Sequence, residues 1–153
     1  MQSQPATTAD LSELYDEDFF EWTQRNARLL RAGKVRQSDI EHIAEEIADL
    51  GKQDLKELHR RSRALLAHLL LWQLRPGKRS SLLAITNQRI ALHGLFKLST
   101  SLKGKLASEL PDTFAKAVRV AMAKTALKSE RFPVACPFTL EQILDLDFLP
   151  QVQ

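Results

Sequence analysis

The hydrophobic and polar positions of the chain follow a helical spacing that is clearest between residues 38 and 79. Apolar residues there recur three and four positions apart, which predicts helices. We expect a helix to begin at Ser38, because S-D-I-E at 38–41 has the spacing of a capping box. Gly51 leaves two alternatives, a break between two helices or one helix through 39–74 at a cost of about 1 kcal/mol. We predict the break, since a helix of about 36 residues would be long for a globular domain.

The same periodicity predicts the rest of the fold. Further helices are expected at 16–32, 81–98 and 112–128, with a short turn at 102–109 and a short helix at 140–145 that begins with a second capping box. Residues 1–11 are polar and predicted to be a disordered tail, and 12–150 a single domain. The fold class predicted is all-α, a helical bundle of five main helices plus a short C-terminal helix.

Composition excludes several classes of protein. The chain has 153 residues and one cysteine, Cys136, which rules out an internal disulfide and a multi-cysteine metal site within one chain. The N-terminus lacks the basic start and apolar run of a secretory signal. The longest apolar run, at 64–72, is too short to cross a bilayer. These features predict a cytoplasmic protein with no membrane partner.

Charge is distributed unevenly along the chain. Residues 1–58 contain 7 Lys and Arg against 13 Asp and Glu, residues 59–131 contain 15 against 3, and residues 132–153 contain none against 3. One interpretation is that the acidic ends fold against the basic middle, or that two chains pair through opposite patches. The other is that the basic middle binds nucleic acid. The first is favoured, since charge runs usually lie on solvated faces.

An ordered set of short motifs covers nearly the whole chain. It comprises Tyr15-Asp16 with Phe19 and Trp22, LLRAG at 29–33, Asp39-Ile40, EEI at 45–47, Leu50-Gly51, HLLLWQ at 68–73, Cys136-Pro137, LEQILD at 140–145 and FLP at 148–150. In this order and spacing the chain resembles the bacterial family known as domain of unknown function 29. The resemblance implies a compact helical bacterial protein with no established activity. The basic run beside His59 departs from the mixed charge expected of that family.

Acidic residues and a histidine share one face of the helix predicted after Ser38. Asp39, His42, Glu45 and Glu46 have the three- and four-residue spacing of helical metal ligands. Di-iron bundles need an acidic-x-x-His pair from each of two helices, and only one such pair occurs here. We therefore predict no metal site and no cofactor.

A second candidate polar site combines Glu45 and Glu46 with His68 and Trp72. His68 and Trp72 lie one helical turn apart from each other. A carboxylate and a histidine can act as an acid–base pair. A hairpin at Gly51 would place His68 opposite about residue 34, and one continuous helix would separate the pair by about 35 Å. Contact between two chains or a long bend would be needed to join them.

Basic residues form the third candidate site, predicted to bind an anion. They are Arg60, Arg61, Arg63, Arg75, Lys78 and Arg79. Arg75, Lys78 and Arg79 precede a predicted helix start, which favours anions, but the glycine spacing of a phosphate-binding loop is absent.

No catalytic signature is present, so the favoured function is a non-enzymatic interaction module. Its expected partner is a second copy, as a homo-oligomer, or another protein. The first alternative is a binder of nucleic acid or another polyanion through the basic region 59–131. The second is a metal-dependent enzyme that uses the acids after Ser38.

Overall fold

The computed structural model describes residues 8–152 of the chain. Its α-helices are α1 (Thr8–Glu17), α2 (Phe19–Arg31), α3 (Ile40–Leu74), α4 (Arg79–Leu98), α5 (Ser101–Thr125) and α6 (Leu140–Leu144). Short 3-10 turns cover Val35–Gln37 and Ser129–Arg131. Within the described residues there is no β-strand. The predicted all-α fold, with five main helices and a short C-terminal one, is confirmed, although several boundaries differ.

The chain divides into two compact units, and the boundary falls inside α3. The N-terminal unit ends at Lys52 and the C-terminal unit begins at Gln53. Formal charges sum to −5 over residues 1–52, from 6 basic and 11 acidic residues, and to +8 over 53–153, from 16 and 8. The single domain expected at 12–150 stays a prediction, and each unit is described by itself below.

The start of the fold differs from the single helix predicted at 16–32. Asp18 separates α1 from α2, because its carboxylate accepts a hydrogen bond from the Glu21 amide at 3.0 Å and caps the new helix. Helix α1 begins at Thr8, inside the predicted tail, and Leu11 is fully buried. The rest of that tail, residues 1–7, lies outside the described residues.

The predicted break at Gly51 is wrong, because α3 runs without interruption through it. Ending one helix and starting another would leave up to four amides and four carbonyls without intrahelical partners. A glycine inside a helix costs only about 1 kcal/mol. The capping box predicted at Ser38 is also absent, since the Ser38 hydroxyl donates to the Lys34 carbonyl at 3.3 Å. Asp39 is instead the residue that precedes the helix.

Replacing Gly51 with alanine is expected to stabilise the protein by about 0.5–1 kcal/mol. Gly51 is exposed, and a Cβ added there would have no atom within 4 Å. Urea unfolding followed by circular dichroism measures the change. Gly33→Ala is the control, because Gly33 has a φ of +71° and should lose stability on the same substitution. A lower stability of Gly51→Ala would show that the glycine conformation is needed.

Pro111 lies inside α5, although it was predicted to start a helix at 112 after a turn at 102–109. Buried or partly buried apolar side chains continue across the proline at a spacing of four residues: Leu102, Leu106, Leu110 and Phe114. Burying Leu102, Leu106 and Phe114 contributes about 1.5–3 kcal/mol each, which together exceeds the roughly 3 kcal/mol cost of an internal proline. Pro111 itself is exposed.

The core of the C-terminal unit is built by α3, α4 and α5 together with the segment after α5. Its buried apolar side chains include Leu58, Leu65, Leu66, Leu69, Ile85, Leu92, Leu106, Phe114, Phe132, Phe138 and Ile143. The capping box predicted at Thr139 is confirmed, with the Thr139 hydroxyl accepting from the Gln142 amide and the Gln142 side chain accepting from the Thr139 amide. This box starts α6, which returns the C-terminal segment to the core.

Arg89 of α4 holds that segment in place. Its guanidinium donates to the carbonyls of Ile143 at 2.8 Å, Phe148 at 2.7 Å and Gln142 at 3.1 Å, and the residue is only 1 % exposed. Burial lowers the pKa of Arg89 below its usual value. This arginine is therefore part of the packing of the C-terminal segment.

None of the helices within residues 8–152 combines the length and the apolar character needed to cross a bilayer.

Candidate functional site

Glu45 and Glu46 lie in the N-terminal unit, whereas His68 and Trp72 lie in the C-terminal unit. Glu46 accepts a hydrogen bond from the Tyr15 hydroxyl at 2.5 Å, and Glu45 is exposed. The hydrogen bond from Tyr15 to Glu46 raises the pKa of Tyr15 to about 12. Trp72 packs against the core of the C-terminal unit. The combination of these four residues in one site stays a prediction.

A buried polar cluster in the N-terminal unit is organised by Asp39. Its carboxylate accepts hydrogen bonds from Trp22 Nε1 at 3.1 Å and pairs with His42 Nδ1 at 2.7 Å. The Asp39 amide donates to Asn26 Oδ1 at 2.8 Å, and the Tyr15 ring stacks on the imidazole of His42 with 4.0 Å between centroids. These contacts join α1, α2 and the start of α3.

This cluster has the parts of a histidine–aspartate dyad, but no nucleophile among residues 8–152 is placed to use it. The Ser12 hydroxyl lies 3.5 Å from His42 Nδ1, the nitrogen that already pairs with Asp39. A general base needs the other nitrogen, Nε2, directed at the group it deprotonates. The geometry therefore supports a structural role for Asp39 and His42.

The acids and the histidine considered as metal ligands do not converge. Across residues 8–152, no group of three or more His, Cys, Asp or Glu side chains is arranged to hold a metal ion. Asp39 and His42 bind each other, and Glu46 binds Tyr15.

The six basic candidates separate into three pairs. Arg60 and Arg61 form ion pairs with Glu57, and Arg61 also donates to Gln88. The hydrogen bonds from Arg60 and Arg61 lower the pKa of Glu57 despite partial burial. Arg63 and Arg79 are exposed. The other two, Arg75 and Lys78, contribute to a cavity of the C-terminal unit.

This basic cavity has a volume of about 260 Å³ and lies among three helix ends. Its nine lining residues are His68, Leu71, Leu74, Arg75, Lys78, Ser80, Ser81, Lys124 and Thr125. They come from the end of α3, the start of α4 and the end of α5. The cavity is smaller than the roughly 300–1,000 Å³ of sites for drug-sized ligands. A compact ligand would therefore fit.

Charge in the basic cavity is strongly one-sided. Arg75, Lys78 and Lys124 line it, and no Asp or Glu is among its lining residues. In the part of the chain that the structure describes, none of the three forms a salt bridge. The ends of α3 and α5 contribute about −0.5 charge each and the start of α4 about +0.5. Three full positive charges outweigh these dipoles, so the net charge around the cavity is positive.

His68 adds a neutral polar group to the wall of the basic cavity. Burial, followed by the positive charges of Lys124 and Lys78, lowers the pKa of His68 below 6.5. Its buried Nδ1 has no hydrogen-bond partner among the described residues. Thr125, by contrast, already donates its hydroxyl to the Ala121 carbonyl and accepts from the Leu127 amide. At neutral pH the positive charge of the cavity therefore comes from the arginine and the two lysines.

Lys124 and Thr125 were missed by sequence reasoning. They lie about 50 residues beyond His68 and Arg75, in a helix whose pattern shows only an ordinary basic last turn. A lysine in that position is the usual partner of a helix dipole, so no local signal distinguishes it. The packing of α5 against α3 and α4 brings it to the cavity.

The described residues define an all-helical protein with a basic cavity at its helix ends. The chain belongs to the family described as domain of unknown function DUF29, whose family model matches residues 14–149. The resemblance noted in the sequence is thereby confirmed. No curated protein and no solved structure matches the chain.

Proposed function

We propose that the protein binds a small oxyanion, such as a phosphate group of a compact ligand, in the basic cavity. The observation that carries this proposal is the presence of Arg75, Lys78 and Lys124 around about 260 Å³ with no acidic residue in the wall. Charge-assisted hydrogen bonds from lysine and arginine are the usual means of holding phosphate. The small volume favours one phosphate group over a nucleic-acid strand.

The start of α4 strengthens the site. Lys78 precedes this 20-residue helix, and no side chain caps it. Amides at an uncapped helix N-terminus carry partial positive charge and can donate to an anion. The hydroxyl groups of Ser80 and Ser81 line the same wall and supply further donors.

Titration with inorganic phosphate tests the proposal by calorimetry and thermal unfolding. Lys78→Ala and Lys124→Ala are each expected to weaken phosphate binding about tenfold, because each removes a hydrogen bond to a charged group. Lys103→Ala is the matched control, since Lys103 is exposed on α5 outside the cavity. Phosphate at 100 times its dissociation constant should stabilise the wild type by about 2.7 kcal/mol.

Nuclear magnetic resonance of the four histidines gives a second readout. A bound anion offsets the charges of Lys78 and Lys124, so phosphate should raise the pKa of His68. The His93 imidazole donates to the Leu144 carbonyl outside the cavity, and its resonances should not change.

Two results would contradict the proposal. One is the absence of phosphate binding at low ionic strength. The other is an equal loss of binding in Lys78→Ala and Lys103→Ala, together with strong, salt-sensitive binding of a single-stranded oligonucleotide. That second result would indicate a broad polyanion surface over 59–131, because diffuse phosphate contacts depend on total charge and on salt.

A further inference from the structure

The first half of α3 exposes an apolar face in the N-terminal unit. Ile40 is 47 % exposed and Ile47 is 65 % exposed. Ala44 and Ala48 are also exposed, and at helical spacing they lie on the same side as the two isoleucines. We call these four residues the α3 face. Small residues between two larger ones leave room for the side chains of another helix.

Acidic side chains border the α3 face. Glu41 and Glu45 line a shallow groove of about 480 Å³ together with Ile40, Ala44 and Ala48. Asp49, one turn after Glu45, pairs with Lys52 at 2.9 Å, so the negative charge beside the face comes from Glu41 and Glu45. From residue 40 to 51 the helix contains no lysine or arginine. The face is therefore apolar with a negative border.

Helix α4 exposes a second apolar face, in the C-terminal unit. Leu83, Ile90 and Leu98 are 61 %, 58 % and 86 % exposed and lie along one side of the helix. We call these three residues the α4 face. The exposed Arg79 and Lys97 lie near its two ends, and α4 contains no acidic residue. This face is apolar with a positive border.

We propose that the α3 face of one molecule docks on the α4 face of a second copy of this chain. Ile40 and Ile47 are seven residues apart, as are Leu83 and Ile90, so both pairs repeat at about 10.5 Å along their helices. Matched spacing allows the side chains to interdigitate. Burying them removes apolar area from water and supplies the main stabilisation of the contact.

Charge selects the opposite face over a like one. Two α3 faces would bring Glu41, Glu45 and their counterparts together, and two α4 faces would do the same with Arg79 and Lys97. Pairing α3 with α4 instead brings opposite charges together, which steers association and disfavours the symmetrical alternatives. The contact therefore joins two different surfaces of identical molecules.

Analytical ultracentrifugation over a range of concentrations tests this contact. The wild type should associate, and Ile47→Asp and Ile90→Asp should each be monomeric, because each places a charge in the apolar contact. Both isoleucines are more than half exposed, so the variants should remain folded by circular dichroism. Val134→Asp is the control, since Val134 is fully exposed and belongs to neither face.

Mixing the two monomeric variants gives the decisive result. Ile47→Asp keeps an intact α4 face and Ile90→Asp keeps an intact α3 face, so their mixture should form a one-to-one complex. A wild type that is monomeric at every concentration would overturn the proposal. So would variants that stay associated, because pairing of each face with itself would leave each variant associated through its intact face. A mixture that stays monomeric would also overturn it, because the intact α3 and α4 faces would then not bind each other.

Discussion

Replacing Arg89 with methionine is expected to destabilise the C-terminal unit by about 3–5 kcal/mol. The guanidinium is buried and donates to the carbonyls of Gln142, Ile143 and Phe148. Methionine has a similar length but no donor, so three carbonyls would lose their partner, at about 1–3 kcal/mol for each that stays buried. Part of this loss is offset, because methionine carries no charge and its burial does not require a charge to leave water.

Urea unfolding measures the effect of Arg89→Met, with Trp72 as the probe because it packs against the core of the same unit. Hydrogen exchange should show faster opening of the amides at 140–150, the segment that Arg89 holds. Arg89→Lys keeps the positive charge but not the planar set of donors, and should lie between wild type and methionine.

His93→Ala is the comparison for a single contact. The His93 imidazole donates to the Leu144 carbonyl at 2.7 Å from an exposed position, so its loss should cost only about 1 kcal/mol. If Arg89→Met were no more destabilising than His93→Ala, the three hydrogen bonds could not be what holds the C-terminal segment.

Asp39→Ala should have the second largest effect, a loss of about 2–4 kcal/mol in the N-terminal unit. The carboxylate is almost fully buried and accepts from Trp22 Nε1 and His42 Nδ1. Alanine leaves the buried indole N–H without an acceptor. It also removes the carboxylate that Trp22 and His42 share. Urea unfolding followed by Trp22 fluorescence, in a Trp72→Phe background, measures the loss.

The pair of Asp39 and His42 also makes stability depend on pH. Burial alone would raise the pKa of Asp39, but hydrogen bonds from His42 and Trp22 outweigh it and lower the pKa below 3.8. The contribution of Asp39 is therefore present above pH 3.8 and lost as pH falls through its folded pKa.

The hydrogen bond to Asp39 outweighs burial and raises the pKa of His42 above 6.5. The contribution of His42 is present below pH 6.5 and lost as pH rises through its folded pKa.

Asp39→Asn provides the control for this pH dependence. Its side-chain oxygen can still accept from Trp22, but it no longer stabilises the protonated imidazole. The wild type should lose stability as pH rises above 6.5, and Asp39→Asn should lose less over the same interval. If the free energy of unfolding fell equally with pH in both proteins, the Asp39 carboxylate could not be what raises the pKa of His42.

Much of the fold follows from local pattern. The end of α3 at Leu74, the end of α4 at Leu98 and the capped start of α6 were all predicted, because capping residues and apolar spacing act within a few positions. Gly51 and Pro111 misled the prediction for one common reason. Each residue destabilises a helix locally by about 1–3 kcal/mol. The stabilisation that a long helix gains from packing and from unbroken backbone hydrogen bonds is larger than this cost.

The candidate site was predictable only in part. Arg75 and Lys78 were named because they precede a helix start, a local signal. Lys124 lies in a different helix, and its place in the cavity depends on how α5 packs against α3 and α4. Arg60 and Arg61 were named only for the local run of basic residues, and the structure pairs them with Glu57.

The sequence by itself determined the helical class, the family and the separation of acidic and basic regions, since periodicity, motif order and charge are properties of the chain. Only the tertiary structure decided which cations share a cavity and that Arg89 is buried. It also showed that the apolar faces of α3 and α4 remain exposed. Whether a side chain is paired, buried or free depends on neighbours that are distant along the chain, and packing alone brings those neighbours together.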